Sequence, residues 1–196
     1  MRKLIVALFV SGLLCPPLIA ADAPVTSVRA RQTMAAFGQC VAKASPAKTH
    51  DVLTEDFRTP AYRMGLRALA ENNRDCLAIR GKMRATGLPF AAALAEAMLK
   101  SDAAPLGARI ARSAGKKAET YAPSDAIAMC VARSAPDDVA GLFATGIGST
   151  EETKSTAGLA PVAGICGKKV GANLEVEPFS LRSILATASF RLVSAQ

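Results

Sequence analysis

Large apolar residues recur at steps of three and four positions along most of this chain, a spacing that is typical of amphipathic helices. In the first such segment Met34, Phe37 and Val41 share one helical face. A later segment places Ile127 on the equivalent face behind Ser124, which we predict to be the N-cap of its helix. The pattern therefore predicts an all-α protein.

The chain contains two copies of one sequence pattern. The phrase Cys40-Val41-Ala42-Lys43 and a following proline return 90 positions later as Cys130-Val131-Ala132-Arg133 and a following proline. Over 37 aligned positions seven pairs are identical: Cys40/Cys130, Val41/Val131, Ala42/Ala132, Pro46/Pro136, Leu69/Leu159, Ala70/Ala160 and Cys76/Cys166. Because chance would not place both cysteine pairs and both prolines in register, we interpret the pattern as a tandem duplication.

Each copy is predicted to fold as a unit of about four short helices, at residues 28–102 and 118–196, joined by a basic connector at 103–117. The first helix ends before the proline, which disfavours helical geometry in the preceding residue and opens the second helix. The third helix leads to the second cysteine, and we expect Pro161 to kink or split it in the second unit. Both cysteines of each unit are expected to face the core.

Residues 1–21 have the pattern of a secretory signal peptide, with a basic start at Arg2 and Lys3, an apolar run of eleven residues and a small-residue exit. The apolar run is too short to span a bilayer, which requires about 20 residues. We therefore expect a periplasmic or secreted protein that is not an integral membrane protein.

Four cysteines remain after the signal, and an even number in an exported protein indicates two disulfides. Three pairings are formally open. The repeat favours Cys40–Cys76 and Cys130–Cys166, because two copies of one unit should close in the same way. In the loop-entropy model each bridge contributes about 4 kcal/mol, so we interpret these cysteines as structural staples rather than redox groups.

His50 is the only histidine, and it lies close to Asp51 and Glu55 in the sequence. These three residues are the candidates for a metal or acid–base site. The second copy has Ala140 and Gly141 at the positions paired with His50 and Asp51, so an exposed polar turn is the favoured interpretation. We therefore assign no catalytic residues and expect neither a metal site nor a cofactor.

The mature chain is moderately basic, with 22 Lys and Arg against 16 Asp and Glu once the signal is removed. Arg109, Arg112, Lys116 and Lys117 in the connector are candidates for contact with an anionic surface, although such a run is more often solvated. Aromatic residues are scarce, and none alternate with the basic ones as they do in single-strand binders, so we expect no specific nucleic-acid binding.

Two further features have structural interpretations. The segment 146–150 is glycine-rich but lacks the lysine and spacing of a phosphate-binding loop. Ser149 and Glu152 have the spacing of a capping box, which predicts a capped helix start. Arg67 and Arg182 have apolar neighbours on their helices, so we expect their stems to lie along the core edge with the guanidinium in water.

The phrase Phe37-Gly38-Gln39-Cys40-Val41-Ala42, with the later Leu159-Ala160-Pro161 and Cys166, resembles a loose group of uncharacterised exported proteins of Gram-negative bacteria. These proteins carry one or two copies of such a two-cysteine helical unit. The resemblance covers about residues 30–190. The group has no assigned activity or catalytic residues that could be carried over to this chain.

The sequence thus favours an exported periplasmic binding or scaffolding protein of unknown ligand, without catalytic activity. Its partner is open, with an envelope protein or an anionic surface as candidates. The alternative is a small cell-envelope hydrolase or lyase with a site between the two copies, in which His50, Asp51 and Glu55 would take part. A membrane-surface protein that uses the basic connector and the last helix is the third interpretation.

Overall fold

The computed structural model describes residues 27–77, 87–172 and 178–195, with the side chains of Pro178 and Phe179 left aside. The predicted signal peptide lies outside these residues. Every regular element in the described parts is helical, as predicted: α1 Val28–Ala44, α2 Pro46–Thr54, α3 Pro60–Asn72, α4 Gly87–Lys100, α5 Leu106–Ser113, α6 Pro123–Ser134, α7 Pro136–Ala144, α8 Thr150–Val170 and α9 Pro178–Ser194.

The helices α1 to α4 and α6 to α9 follow the same order. At the repeat offset of 90, the ends of the first helices, both ends of the second and the starts of the third correspond, whereas α6 begins five residues later than α1 and α8 extends eight residues further than α3. The hinge before the second helix has nearly identical backbone angles, φ −137° and ψ 57° at Ser45 against φ −139° and ψ 58° at Ala135. Thr59 and Ser149 cap the third helices in the same way, each hydroxyl accepting the N–H three residues on. These matches are consistent with a duplicated unit.

Both disulfides form with the predicted pairing. The Cα atoms are 5.6 Å apart in Cys40–Cys76 and 5.7 Å apart in Cys130–Cys166, so the two units are closed alike. The prediction that every cysteine faces the core is wrong for Cys40, which is exposed, whereas Cys166 is buried. In the first bridge Cys40 is exposed, whereas Cys76 is partly buried against the core.

The fourth helix of each unit forms the centre of the molecule. Helix α4 packs on α1, α9 packs on α6, and α4 and α9 pack on each other. Phe90, Leu94 and Leu185 are fully buried in the resulting core. The core is continuous across both units, because the two central helices each bury apolar residues around most of their circumference.

The connector is part of this fold. Its residues 106–113 form α5, which packs on α7 and α9 through the fully buried Ile110. The Arg109 guanidinium is largely buried, donates to the Leu99 carbonyl at 2.7 Å and pairs with Asp102 at 3.3 Å. The connector is thus fixed to the end of α4 by a side-chain contact.

Three local predictions are corrected. Helix α6 begins at Pro123 with Ala122 as its N-cap, because proline suits the first helical position, so Ser124 is not the cap. Helix α3 ends at Asn72, and a short 3-10 turn follows, since the Asn73 amide donates to the Leu69 carbonyl at 2.8 Å. Helix α8 is not split at Pro161, which lies on its exposed side where water can reach the freed carbonyl.

Candidate functional site

The candidate residues on α2 lie on the outside of the molecule. The His50 side chain is 47% exposed and the Asp51 side chain 80% exposed, with 3.7 Å between His50 Nδ1 and Asp51 Oδ1. Glu55 is an exposed residue at the end of α2. The His50 ring meets the edge of Phe190 on α9 at 5.6 Å between centroids, and that contact is apolar.

No group of three or more His, Cys, Asp or Glu side chains within the described residues could hold a metal ion. Of the candidate residues, the structure brings His50 together with Asp51 only, and neither residue lines the two cavities described below.

The four basic candidates of the connector divide into two kinds. Arg109 has the structural contacts described above. Arg112, Lys116 and Lys117 are exposed, and Lys116 Nζ donates to the Ala195 carbonyl at 2.6 Å. Contact of these exposed residues with an anionic surface stays a prediction.

A cavity of about 760 Å³ lies between the two units. The first unit contributes α3, the loop before it and the start of α4, and the second contributes the start of α6 and one face of α9. The apolar part of its wall consists of Phe57, Pro60, Met64, Leu66, Leu88 and Ile184. Met64 and Leu88 are 64% and 40% exposed, so apolar surface remains open to solvent here.

A buried ion pair forms part of the cavity wall. Arg191 on α9 donates to Asp125 Oδ1 on α6, and both side chains are at least 94% buried. Asp125 Oδ2 accepts the Tyr121 N–H at 3.0 Å, so both carboxylate oxygens have partners. The Arg191 guanidinium lies 5.7 Å from the centre of the Phe57 ring, which further offsets the cost of burying its charge.

Tyr62 presents a polar group to the same cavity. The residue is only 8% exposed, and its hydroxyl makes no hydrogen bond to any residue in the described ranges. Burial raises the pKa of this phenol to about 12, with a smaller effect from nearby Asp125, although Arg191 opposes the rise. The hydroxyl therefore stays protonated at neutral pH and can donate a hydrogen bond.

A second, much smaller cavity of about 50 Å³ lies at the corresponding place in the duplicated arrangement. Its lining residues Ile147, Met34 and Ala35 pair at the offset of 90 with Phe57, Ser124 and Asp125 of the large cavity. The two cavities therefore lie at equivalent junctions between the units and differ in volume.

A buried charge network fills the small junction. Arg182 on α9 is 4% exposed and donates to both oxygens of Glu96, at 2.6 Å and 3.0 Å. It also donates to Glu152 at 3.0 Å, and Arg31 pairs with the same carboxylate. The prediction that the Arg182 guanidinium lies in water is wrong, because two carboxylates from α4 and α8 compensate its burial. Arg67, by contrast, is exposed.

Glu152 also holds the start of α8. The Glu152 carboxylate accepts a hydrogen bond from the Gly148 N–H at 2.7 Å, and the Ser149 hydroxyl accepts one from the Glu152 N–H at 3.1 Å. Burial by itself raises the pKa of the Glu152 carboxyl, but hydrogen bonds from Arg31 and Gly148 outweigh burial and hold the pKa below its ordinary value. The helix end is thus occupied by the chain's own carboxylate.

Sequence reasoning missed the cavity residues Tyr62, Asp125 and Arg191. One signal was available, because Arg191 interrupts the apolar pattern of a helix that is buried around most of its circumference. A charged residue in that position requires a buried partner. The identity of the partner, 66 residues away, could not be read from local spacing.

No described helix is long and apolar enough to cross a bilayer. The resemblance to exported two-cysteine proteins stays a prediction, as comparison with known proteins adds nothing to it. No family model, no curated protein and no solved structure matches this chain.

Proposed function

We propose that this chain is an exported, periplasmic binding protein that holds a small, largely apolar molecule in the cavity between its two units. The observation that carries the proposal is the cavity itself, about 760 Å³ with an apolar wall and a few convergent polar groups. Sites for small molecules in proteins have this composition and volumes of roughly 300–1,000 Å³.

The exposed apolar rim supports this function. Met64 and Leu88 leave much of their surface in water beside the cavity, where a bound apolar molecule would contact them. A bound molecule would remove this surface from water and gain about 25 cal/mol for each Å² of apolar area buried. The small junction gives further support, because the fold fills the equivalent place with its own side chains and leaves only about 50 Å³ there.

The proposed location rests on the signal-like pattern of residues 1–21 and on the two disulfides. Disulfides persist in oxidising compartments such as the bacterial periplasm. The hydrolase or lyase alternative relied on His50, Asp51 and Glu55 in a site between the units. These residues lie on α2 outside the cavity, so no observation favours that alternative over binding.

A tryptophan reporter tests the proposal, because the chain has no tryptophan of its own. Leu88→Trp places one at the cavity rim, and Ile165→Trp places one at a similarly exposed position on α8, away from the cavity. Both oxidised variants are titrated with 1-decanol, a neutral apolar probe, after circular dichroism has confirmed that they are helical.

We expect a saturable blue shift of tryptophan emission for Leu88→Trp and none for Ile165→Trp. Adding Ser124→Phe, which places a ring at the cavity wall, should abolish the shift while leaving the helical content unchanged. A response that is absent in Leu88→Trp, or equal in both reporters, would overturn the proposal.

A further inference from the structure

The charged side chains around the cavity are unequal in sign. Arg63, Arg67 and Arg191 line it, and Asp125 is the one carboxylate among the described lining residues. Asp125 is fully committed, with one oxygen on Arg191 and the other on the Tyr121 N–H. A cationic ligand would therefore find no unengaged carboxylate among the described lining residues and would meet a positive wall.

We propose that the ligand of this cavity is an anionic amphipathic molecule, with a carboxylate head held by Tyr62 and Arg63 and an apolar chain against Met64, Leu66 and Leu88. This inference rests on the proposed binding function of the cavity. It adds the sign of the charge, the chemical class of the ligand and the residues that recognise it.

Tyr62 provides the first argument. The Tyr62 hydroxyl makes no hydrogen bond within the described residues, and its oxygen keeps contact with solvent although the residue as a whole is buried. Tyr62 lines the cavity, so its hydroxyl is available to a ligand there. Since the hydroxyl is protonated at neutral pH, it can donate to a carboxylate, and hydrogen bonds to charged acceptors are the stronger kind. The bound head group would supply the missing partner.

The two arginines of α3 provide the second argument. Arg63 and Arg67 are four residues apart, a spacing at which like charges on a helix repel each other. Arg67 is partly neutralised by Glu71, with 3.4 Å between Nε and Oε1. The Arg63 side chain is exposed and makes no ion pair or hydrogen bond within the described residues. An anion at the cavity mouth would relieve this repulsion and pair with Arg63.

Four probes that differ in charge and chain test the inference with the Leu88→Trp reporter: decanoate, 1-decanol, decyltrimethylammonium and acetate. We expect decanoate to bind on the order of tenfold more tightly than decanol, since it gains a charged hydrogen bond and an ion pair. The ammonium compound should bind more weakly than decanol, and acetate should produce no shift.

The outcomes separate this inference from the function on which it rests. Equal affinity for decanoate and decanol would overturn the anionic class but leave the apolar binding site standing. Tighter binding of the ammonium compound would reverse the proposed sign. If decanol gives no saturable shift with this reporter, the binding function proposed above is overturned, whatever the charged probes do.

Tyr62→Phe tests the head-group contact without disturbing the fold, because the hydroxyl has no partner to lose in the free protein. We expect unchanged thermal stability, unchanged binding of decanol and roughly tenfold weaker binding of decanoate. Equal weakening of both probes would mean that Tyr62 contributes only shape, and the assignment of the head group would be wrong.

Arg63→Gln should weaken decanoate binding about threefold, with a smaller effect at high salt, since the contact is exposed. Arg74→Gln removes an exposed arginine that does not line the cavity and has the same effect on net charge. If both variants weaken binding equally, the attraction belongs to the overall charge of the protein, and the proposed role of Arg63 fails.

Discussion

Glu96 forms one buried and one exposed ion pair, so the contributions of the two pairs to the free energy of unfolding can be compared directly. Its Oε1 atom lies 2.6 Å from Arg182 Nη2 and also 2.6 Å from Lys100 Nζ. The Arg182 side chain is 5% exposed and the Lys100 side chain 48% exposed. One acceptor atom thus has two cationic partners at the same distance in different surroundings.

Replacement by methionine keeps an unbranched apolar stem and removes the charge in both cases. Removing one partner of a buried pair costs about 3–5 kcal/mol of unfolding free energy, because an uncompensated charge stays behind. We expect about 3 kcal/mol for Arg182→Met, since Lys100 still contacts Glu96 and Arg31 still contacts Glu152. Lys100→Met should cost less than about 1 kcal/mol.

Urea unfolding at pH 7, followed by circular dichroism, gives both free energies, and thermal melts check them. For a chain of this size a loss of 3 kcal/mol lowers the melting temperature by about 6–12 °C. Equal losses in the two variants, or a loss below about 1 kcal/mol for Arg182→Met, would refute the argument that the buried network closes the small junction. Adding Glu96→Leu to Arg182→Met should recover part of the loss, because an apolar pair leaves no charge at that contact.

Three further predictions concern stability. The folded-state pKa of Glu152 is lowered, so the stability that its charge contributes is complete above the ordinary value of 4.5 and is lost as pH falls through the folded-state value. Urea midpoints measured from pH 7 to 3 should therefore fall more steeply for the wild type than for Glu152→Gln. Parallel curves would contradict this. Mild reductant should open Cys40–Cys76 before Cys130–Cys166, because Cys40 is exposed and Cys166 is buried; alkylation followed by peptide mapping detects the order. Replacing both cysteines of either bridge with serine should lower the free energy of unfolding by about 4 kcal/mol. Gly38→Ala should destabilise the protein by about 1–3 kcal/mol in chemical denaturation, since the new Cβ would lie 2.8 Å from the backbone of α4. Gly158→Ala on α8 meets nothing within 4 Å and should stabilise the protein by about 0.5–1 kcal/mol. A change of the same sign at both glycines would contradict the packing described for α1 and α4.

The features that the sequence predicted are those with a local cause. Pro46 and Pro136 start their helices wherever they occur in the fold, because their fixed backbone angle suits the first helical position. The pairing Cys40–Cys76 followed from its equal spacing with the second cysteine pair. Such features need no knowledge of how the units pack together.

The cavity and the buried charges depend on long-range packing and were not predicted. Arg182 was placed in water because its neighbours on α9 gave no sign of Glu96, 86 positions away, or Glu152, 30 positions away. Tyr62 shares the buried face of α3 with Leu66 and Leu69, a spacing that accounts for its ring but not for its hydroxyl. Its free hydroxyl becomes apparent only when α3 is seen beside α6 and α9.

The contrast between the two junctions has a mechanical consequence. Arg31, Glu152, Arg182 and Glu96 link α1, α8, α9 and α4 across the small junction, so the relative position of the units is anchored on that side. At the large cavity the Arg191–Asp125 pair joins two helices of the second unit and does not cross between the units. The proposed ligand would therefore lie at the junction that the buried network does not tie. We therefore expect any change in the relative position of the two units to alter the width of the large cavity rather than that of the small junction.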